Sequence, residues 1–382
     1  MPGCGTLAAL CLIQFLSWGV LFYTLPISAA RLQSEGWTLE IVSGIYTLSL
    51  IVSALAGPPI GRLTDLHGPK KTIFVGALVG ALAMLASCWA DNIAIFAGTW
   101  MLVGLAQAAT LYQPALAAVA QWYGNANPWP PLAITCAGGL SSAFFAPLTA
   151  ALIDSHGWRV AFILLASTYG VLAVSTAWLF IDSAWKKPAY NPDEHRALLR
   201  SISTSSEFRY SQASLTVSAL CLYAITLNLI PLLEELDFTY QQAALVFGAV
   251  GAAQLVGRWA FVPVAHRSNP RQRLALEGFL CFGTLLALAV IITPAALIVT
   301  LAMLAGAIRG AHTLVVASVV SDRWGKESYA SVYGRFNLPI GIAMALSPVL
   351  GQLTASWLNS HRSACLLFAV FALLAVGLSR RA

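Results

Sequence analysis

The sequence predicts an all-α membrane protein whose twelve transmembrane helices form two pseudo-symmetric six-helix bundles. Three observations predict this fold class: the composition, a series of apolar runs of similar length, and a weak repetition of turns between the two halves. Hydrophobic residues make up 58% of the 382 residues and charged residues only 9%, whereas soluble domains are ~45–50% apolar. A soluble chain of this length would need a charged surface, so the composition indicates a surface that faces lipid.

The apolar runs are each long enough to cross a bilayer, which takes ~20 mostly apolar residues in a helix. Within lipid the backbone must satisfy its own hydrogen bonds, so helices are favoured over strands. The first run is too long for the apolar part of a signal peptide, and we interpret it as an uncleaved span. The predicted spans are 6–30, 41–61, 72–90, 93–123, 130–153, 158–181, 211–231, 240–264, 273–292, 294–321, 327–356 and 362–380.

One long charged segment divides the chain near its middle. We predict an N-terminal bundle over 1–181, a cytoplasmic linker over 182–210 with a short amphipathic helix in 188–200, and a C-terminal bundle over 211–382. Most Lys and Arg residues fall in the loops that lie on one side of this arrangement. Because cytoplasmic loops carry an excess of Lys and Arg, this bias predicts that both termini are cytoplasmic.

Several classes of protein are disfavoured by the motifs that the sequence lacks, although a channel stays possible. The net charge of +6 comes from loops on one side of the spans, so it does not indicate nucleic-acid binding. The seven cysteines are isolated, without metal spacing or a disulfide framework. No nucleophile elbow, phosphate loop or metal-spaced His cluster supports an enzyme, and no rings of charge support a channel. We therefore expect neither catalysis nor a cofactor nor a bound metal.

A charged turn joins the second and third spans. Its glycine residues allow a tight turn and close helix approach, and its carboxylate can accept hydrogen bonds at the N-terminus of a helix. We expect that helix to be the eleventh span, which begins near Glu327, while the lysines can meet acidic groups or lipid phosphates. The basic residues could equally serve topology alone. The residues of this gating turn are Gly61, Arg62, Asp65, Gly68, Lys70 and Lys71.

The second half repeats the first in weakened form. Gly257-Arg258 echoes Gly61-Arg62, and Pro348 echoes Pro147, each roughly 200 residues later, as expected for two halves related by duplication.

The spans, the central loop and the turn together resemble the major facilitator superfamily. The family signature has a Gly, an Asp four residues on, a Gly three further and then a basic run; Pro69 departs from it, and Phe261 replaces the Asp in the second copy. The resemblance implies a secondary transporter that moves a small solute by rocker-switch alternating access. The first span with its Trp18-Gly19, and Gly36-Trp37 after it, are similar to the monocarboxylate and oxalate/formate branches. The fifth span lacks the Gly-Pro motif of drug/proton antiporters.

Ionisable residues within the spans are few, and such residues default to functional hypotheses. Arg309 lies near the middle of the tenth span, with His312 one turn further on, and Arg335 and Asn337 lie in the eleventh. We expect no Asp or Glu at depth, because Glu277 at the start of the ninth span could reach the surface. Arg309 would then lack a carboxylate partner, and the best bidentate partner of a guanidinium is a carboxylate.

The sequence therefore predicts a small organic anion as substrate, bound by Arg309. Arg309 could instead be a structural cation, Arg335 could extend to the surface, and His312 could be a packing residue or a proton carrier. The resemblance implies that the first, fourth, seventh and tenth spans line the cavity. Further polar or aromatic candidates in these spans are Gln14, Tyr23, Gln107, Tyr112, Gln113, Tyr223, Thr226 and Asn228.

The sequence leaves the coupling ion and the mode of transport open. Protons could couple through His312, the anion could carry its own proton, or the protein could be an exchanger or uniporter. An exporter of drug-like or other metabolites, with an apolar cavity, is the alternative function. We expect a monomer in the lipid bilayer, in a bacterial inner membrane, with no nucleic-acid partner.

Overall fold

A computed structural model describes residues 4–34, 37–124, 127–181, 184–186 and 191–382. Gly36 and residues 182–183 and 187–190 of the predicted linker lie outside the described residues. A π-helical segment, Trp18–Tyr23, joins the first two helices. The helices are α1 Cys4–Ser17, α2 Thr24–Ser34, α3 Leu39–His67, α4 Pro69–Ser87, α5 Ile93–Thr110, α6 Tyr112–Tyr123, α7 Trp129–Phe180, α8 Pro192–Thr204, α9 Ser206–Leu227, α10 Leu229–Glu234, α11 Tyr240–Arg267, α12 Pro270–Val290, α13 Ala295–Trp324, α14 Tyr329–Leu358 and α15 His361–Ser379.

The described residues contain 11 continuous helical stretches that are long and apolar enough to cross a membrane. One of them, α7, has 52 residues and would be about 78 Å long if straight. Gly157 interrupts it with a φ of 78°, a conformation that glycine adopts without steric cost. The helix therefore supplies two spans, as the sequence predicts, and the all-α membrane fold class is confirmed.

Packing divides the chain into two compact units. The first unit comprises the residues up to Arg196 together with Trp324–Leu338, and the second comprises Ala197–Arg323 and Pro339–Ala382. The beginning of α14 thus packs with the first unit although it lies late in the sequence. The boundaries 1–181, 182–210 and 211–382 stay a prediction. The amphipathic helix predicted in the linker is present as α8.

In the first unit, helices approach closely at small residues. A Cβ at Gly76 or Gly80 would collide with Ala109 or Leu21, and a Cβ at Gly104 would collide with the backbone of Ser49. Close approach at small residues gives helices in lipid their van der Waals packing.

The fourth span is broken in the first unit. Leu111, with ψ −157°, separates α5 from α6. The carbonyl oxygens of Thr110 and Leu111 at this break accept hydrogen bonds from Gln14 Nε2 at 2.8 and 3.3 Å. A buried side chain thereby satisfies backbone groups that lipid could not satisfy.

In the second unit, small residues fix the orientation of α13. Gly306 and Gly310 lie directly against the backbone of Val250 and Gln254 in α11, with no room for a Cβ. Residues at other positions around the helix, including Arg309 and His312, are thereby turned toward α9 and α12. The polar groups of α13 thus face other helices of the second unit.

Candidate functional site

Arg309 is held by the aromatic ring and the hydroxyl of two α9 residues. Its guanidinium carbon lies 4.2 Å from the centre of the Tyr223 ring, a cation–π contact. Its Nη1 donates to Thr226 Oγ1 at 3.3 Å. Its Nε is buried and has no hydrogen-bond partner among the described residues. The side chain is therefore oriented, but its hydrogen-bonding capacity is not used up.

His312 pairs with a carboxylate in the neighbouring helix. His312 Nδ1 lies 2.5 Å from Glu277 Oε1, and both side chains are only 3% exposed. The expectation that Glu277 reaches the surface is wrong, and so is the expectation that no Asp or Glu lies at depth. The physical reason is the start of α12: Asn269 caps the helix, which begins at Pro270. Glu277 is therefore two turns, or about 11 Å, into the helix and faces α13.

Each residue of this pair has a second polar atom that makes no hydrogen bond to the described residues. Glu277 Oε2 and His312 Nε2 are buried without a hydrogen-bond partner in the part of the chain that the structure describes. The Tyr223 ring lies 6.5 Å from the His312 ring and also contacts Arg309. We call Tyr223, Thr226, Glu277, Arg309 and His312 the polar cluster. It combines a fixed cation with a pair of titratable groups inside an apolar unit.

Asn228 links two helices of the second unit rather than joining the polar cluster. It terminates α9, and its Nδ2 donates to Ala224 O at 2.8 Å and to Pro348 O at 3.1 Å. These contacts satisfy its amide donors with backbone carbonyls. Asn337 in α14 is half-buried. A substrate role for either residue stays a prediction.

The glutamine candidates of the first unit are engaged with the backbone. Gln14 binds the carbonyls at the α5–α6 break, and Gln107 Nε2 donates to Leu21 O at 2.8 Å. Both side chains are fully buried, and the Oε1 of each lacks a partner within the described ranges. Their contacts explain them as packing residues, and a role in substrate binding stays a prediction.

The aromatic candidates of the first unit, half-buried Tyr23 and buried Tyr112, form a group with Trp18. The rings of Trp18 and Tyr112 are 4.7 Å apart, and those of Trp18 and Tyr23 are 6.3 Å apart. Tyr112 also donates a hydrogen bond to Thr135 O at 3.1 Å. Trp18 and Tyr23 begin and end the π-helical segment, and such segments are frequent at functional sites.

Asp65 in the gating turn binds the start of α14. The carboxylate is 1% exposed and accepts hydrogen bonds from Ala330 N at 3.2 Å and Ser331 N at 2.8 Å. Because α14 begins at Tyr329, these are N–H groups of its first turn, which have no partner within the helix. This is the helix that the sequence predicts as the partner of Asp65; that the contact acts as a latch stays a proposal.

Close backbone contact and a bridging glutamine reinforce this crossing of α3 and α14. Gly61 lies against the carbonyl of Ala330 with no room for a Cβ. Gln113 Nε2 donates both to Gly57 O at 2.7 Å and to Ala330 O at 3.2 Å. Gln113, a predicted substrate residue, therefore also links α3 to the start of α14.

The rest of the gating turn is supported by tryptophans. Gly68 has a φ of 85°, and a Cβ there would also crowd Trp185. Trp185 Nε1 donates to Asp65 O at 2.8 Å. Lys70 lies 5.6 Å from the centre of the Trp178 ring. Arg62 and Lys71 are exposed, and Arg335 in α14 is half-buried.

His195 of α8 is a residue of this region that sequence reasoning missed. It is buried, with Nδ1 3.4 Å from Ser328 Oγ and Nε2 3.5 Å from Ser331 Oγ. Burial lowers the pKa of His195, and the charges of Arg62 and Arg335 lower it further. Only its place in an amphipathic stretch of the linker could have suggested a buried face.

A cavity of about 280 Å³ lies among α3, α4 and α5, and Lys71 of the gating turn is part of its wall. Its wall includes Leu63, Val75 and Leu105, which are exposed apolar side chains. In a membrane such faces meet lipid, so we do not place the substrate there. Among the described residues, no group of three His, Cys, Asp or Glu side chains could hold a metal ion.

Comparison with known proteins gives consistent matches. The family model described as Major Facilitator Superfamily matches residues 7–338. The chain is 25% identical over 316 residues to rat monocarboxylate transporter 13, covering 82% of this chain and 72% of the relative. It is 26% identical over 297 residues to the multidrug resistance protein MdtG of Salmonella arizonae, covering 74% and 72%.

Two solved structures show the same fold. The human organic anion transporter MFSD10 superimposes with a TM-score of 0.77 at 14% identity, over 99% of this chain and 100% of that one. The E. coli fucose:proton symporter FucP superimposes with a TM-score of 0.73 at 14% identity, over 98% of each chain.

Proposed function

The chain belongs to the major facilitator superfamily, and we propose that, as a multi-pass membrane transporter of this family, it moves a small organic anion whose carboxylate binds Arg309. The protein is a transporter of a small solute and not an enzyme. The observation that carries the substrate class is the environment of Arg309, which is oriented by Tyr223 and Thr226 yet keeps a buried Nε that has no hydrogen-bond partner among the described residues.

An arginine in this setting favours an anionic ligand for a physical reason. A guanidinium at depth in the membrane is costly unless it is paired. A carboxylate could accept two parallel hydrogen bonds from Nε and one terminal nitrogen, the strongest geometry for such a pair. Glu277, the carboxylate brought near this helix, bonds instead to His312. The relative named a monocarboxylate transporter supports the same substrate class.

We further propose rocker-switch alternating access, in which the substrate site opens in turn to each side of the membrane. The contact of Asp65 with the first turn of α14 would be a latch for one of the two states, because it uses hydrogen bonds that can break without unfolding either helix. Gly61, Gly68 and Gln113 would support the latch through the contacts described above.

The membrane setting is also a proposal. The distribution of Lys and Arg favours cytoplasmic termini. The compact loops favour a bacterial inner membrane, and we expect a monomer. Reporter fusions at the two ends should both be active on the cytoplasmic side, and light scattering of the purified protein should give the mass of one chain. A periplasmic reporter signal from either end would overturn the orientation.

The binding proposal is tested by thermal stability of the purified protein with pyruvate, succinate and benzoate, each added separately. We expect at least one carboxylate to stabilise the wild type. Arg309→Gln should abolish that stabilisation, and Arg309→Lys should weaken it because the bidentate geometry is lost. Arg267→Gln is the matched control, since Arg267 is an exposed arginine of the same unit. Equal stabilisation of Arg309→Gln and wild type would overturn the assignment.

Export of a drug-like compound is the second candidate. It is favoured by the relative named multidrug resistance protein MdtG and by the aromatic group of Trp18, Tyr23 and Tyr112, because aromatic faces attract lipophilic cations. Tetraphenylphosphonium in the same assay separates the two. Stabilisation by this cation alone, lost in Trp18→Ala and kept in Arg309→Gln, would replace the anion proposal.

A further inference from the structure

The pair of Glu277 and His312 has a geometry that the anion proposal does not use. The two side chains come from different helices, α12 and α13, and are almost completely buried. Their 2.5 Å contact needs one proton between the two heteroatoms. The remaining Oε2 and Nε2 have no hydrogen-bond partner among the described residues. A buried polar pair that makes only part of its possible hydrogen bonds is costly, and this cost favours a functional role for the pair.

We propose that this pair is the site of a transported proton, and that the protein carries one proton together with each organic anion. This inference rests on the proposed function, since it takes Arg309 as the anion site. It adds the coupling ion and the two residues that hold it.

The protonation states of the pair can be counted. With a single proton on Nδ1, His312 is neutral and Glu277 is ionised, so the pair carries one negative charge. A second proton makes the pair neutral overall, whether it is written as imidazolium with carboxylate or as imidazole with carboxylic acid. Only N–H and O–H bonds form or break in this step, and no other reactant is needed.

The charge of Arg309 then couples proton and anion. His312 lies three residues from Arg309 on the same helix, a spacing that places side chains next to each other. When the pair is negative, it balances Arg309, and the empty cluster is neutral. When the pair takes up a proton, the arginine charge is uncompensated and attracts the substrate carboxylate, which restores neutrality.

Coupling follows from the cost of net charge in an apolar surrounding. The empty cluster and the cluster with both proton and anion are neutral. A cluster that holds only one of the two carries a net charge and is disfavoured. The protein should therefore change its access readily when it is empty or doubly loaded, and this gives a fixed ratio of one proton to one anion.

The groups around the pair leave it as the proton site. From α9 it is faced by Tyr223, which also contacts Arg309. The thiol of Cys281 in α12 lies near Glu277, and the thiols of Cys221 in α9 and Cys365 in α15 lie near Cys281. Free thiols and phenols have ordinary pKa values of about 8.5 and about 10, above those of carboxylic acids and imidazoles. Of these groups, the carboxylate of Glu277 and the imidazole of His312 are the two that share a hydrogen bond.

The test uses the full-length protein in proteoliposomes that contain a pH-sensitive dye, with the carboxylate that stabilises it best. We expect wild type to take up one proton for each anion and to accelerate net uptake at least tenfold under an inward proton gradient. In Glu277→Gln the pair cannot become negative, so the empty cluster stays charged. The empty transporter should then change its access slowly. Net uptake should fall at least tenfold and lose its response to the gradient, while exchange of internal for external anion stays within about twofold of wild type.

Glu234→Gln is the matched control, since Glu234 is an exposed carboxylate of the same unit, and it should behave as wild type. Exchange by Glu277→Gln also shows that this variant is folded. Anion uptake by wild type without proton movement would overturn the inference, as would an unchanged response of Glu277→Gln to the gradient. Failure of every carboxylate to stabilise the protein would instead refute the proposed function itself.

Discussion

Replacing Asp65 by Asn tests whether the gating turn holds the start of α14. The native carboxylate is buried and accepts two hydrogen bonds, from Ala330 N and Ser331 N. Asparagine has nearly the same shape but offers one oxygen, and its NH2 group would face the second N–H donor. The perturbation is therefore local: one bond is lost, and the charge at the helix N-terminus is removed.

The size of the effect can be worked from these contacts. A hydrogen bond to a charged acceptor contributes ~1.5–3 kcal/mol, and a negative charge at a helix N-terminus adds ~0.3–1 kcal/mol. Burying the carboxylate has a desolvation cost that asparagine avoids in part. We expect a net loss of about 2 kcal/mol for the state in which α14 is held, which is a roughly 30-fold change in the ratio of held to released states.

The assay is the reaction of a cysteine at Ala330 with a polar maleimide in detergent, in a background without the seven native cysteines. Ala330 is fully buried, so its labelling rate reports the released fraction when release is rare. Asp65→Asn should raise the rate about 30-fold, and Asp154→Asn, which alters an exposed carboxylate of the same unit, should not. A rate within twofold of wild type would refute the reasoning, because the two bonds would then contribute nothing to holding the helix.

Two further predictions concern the same crossing. The pKa of His195 lies below its ordinary value of 6.5. The stabilisation of the crossing by neutral His195 is therefore complete above that ordinary value and is lost as the pH falls through the lowered pKa. Labelling at residue 330 should accordingly increase as the pH falls. His195→Gln should flatten this rise, whereas an identical pH profile in the variant would show that His195 is not involved. Gly61→Ala should weaken the crossing because its Cβ would meet Ala330 O, and it should raise the labelling rate at least tenfold. Gly98→Ala, at a helical position with open space, should be neutral or slightly stabilising; equal rates in the two glycine variants would count against steric contact at Gly61.

The polar cluster shows where reasoning from the sequence stops. The sequence singled out Arg309 and His312, because charged residues in an apolar span are conspicuous and their spacing places them near each other. It misplaced Glu277, because an apolar run does not show where a helix begins or which way a residue two turns in will face. The position of α12 against α13 supplied the missing carboxylate and changed His312 from an isolated residue into half of a pair.

The glutamines illustrate a second limit. Gln14, Gln107 and Gln113 are polar residues in predicted spans, and composition alone cannot distinguish a ligand contact from a structural one. Gln14 caps a helix break at Leu111, and Gln113 bridges two helices that are far apart in sequence. Both roles depend on backbone carbonyls whose exposure is decided only when helices break or cross.

The amino-acid sequence by itself determined the membrane fold, the number of spans and the partner of Asp65. Hydropathy acts along the chain at the length of one helix, and a helix N-terminus offers free N–H groups wherever it begins. Only the tertiary structure decided which polar side chains meet. Pairing of Glu277 with His312 and stacking of Arg309 on Tyr223 join residues 35 and 86 positions apart in the sequence, and such contacts depend on the rotation of each packed helix, which small residues such as Gly306 and Gly310 fix.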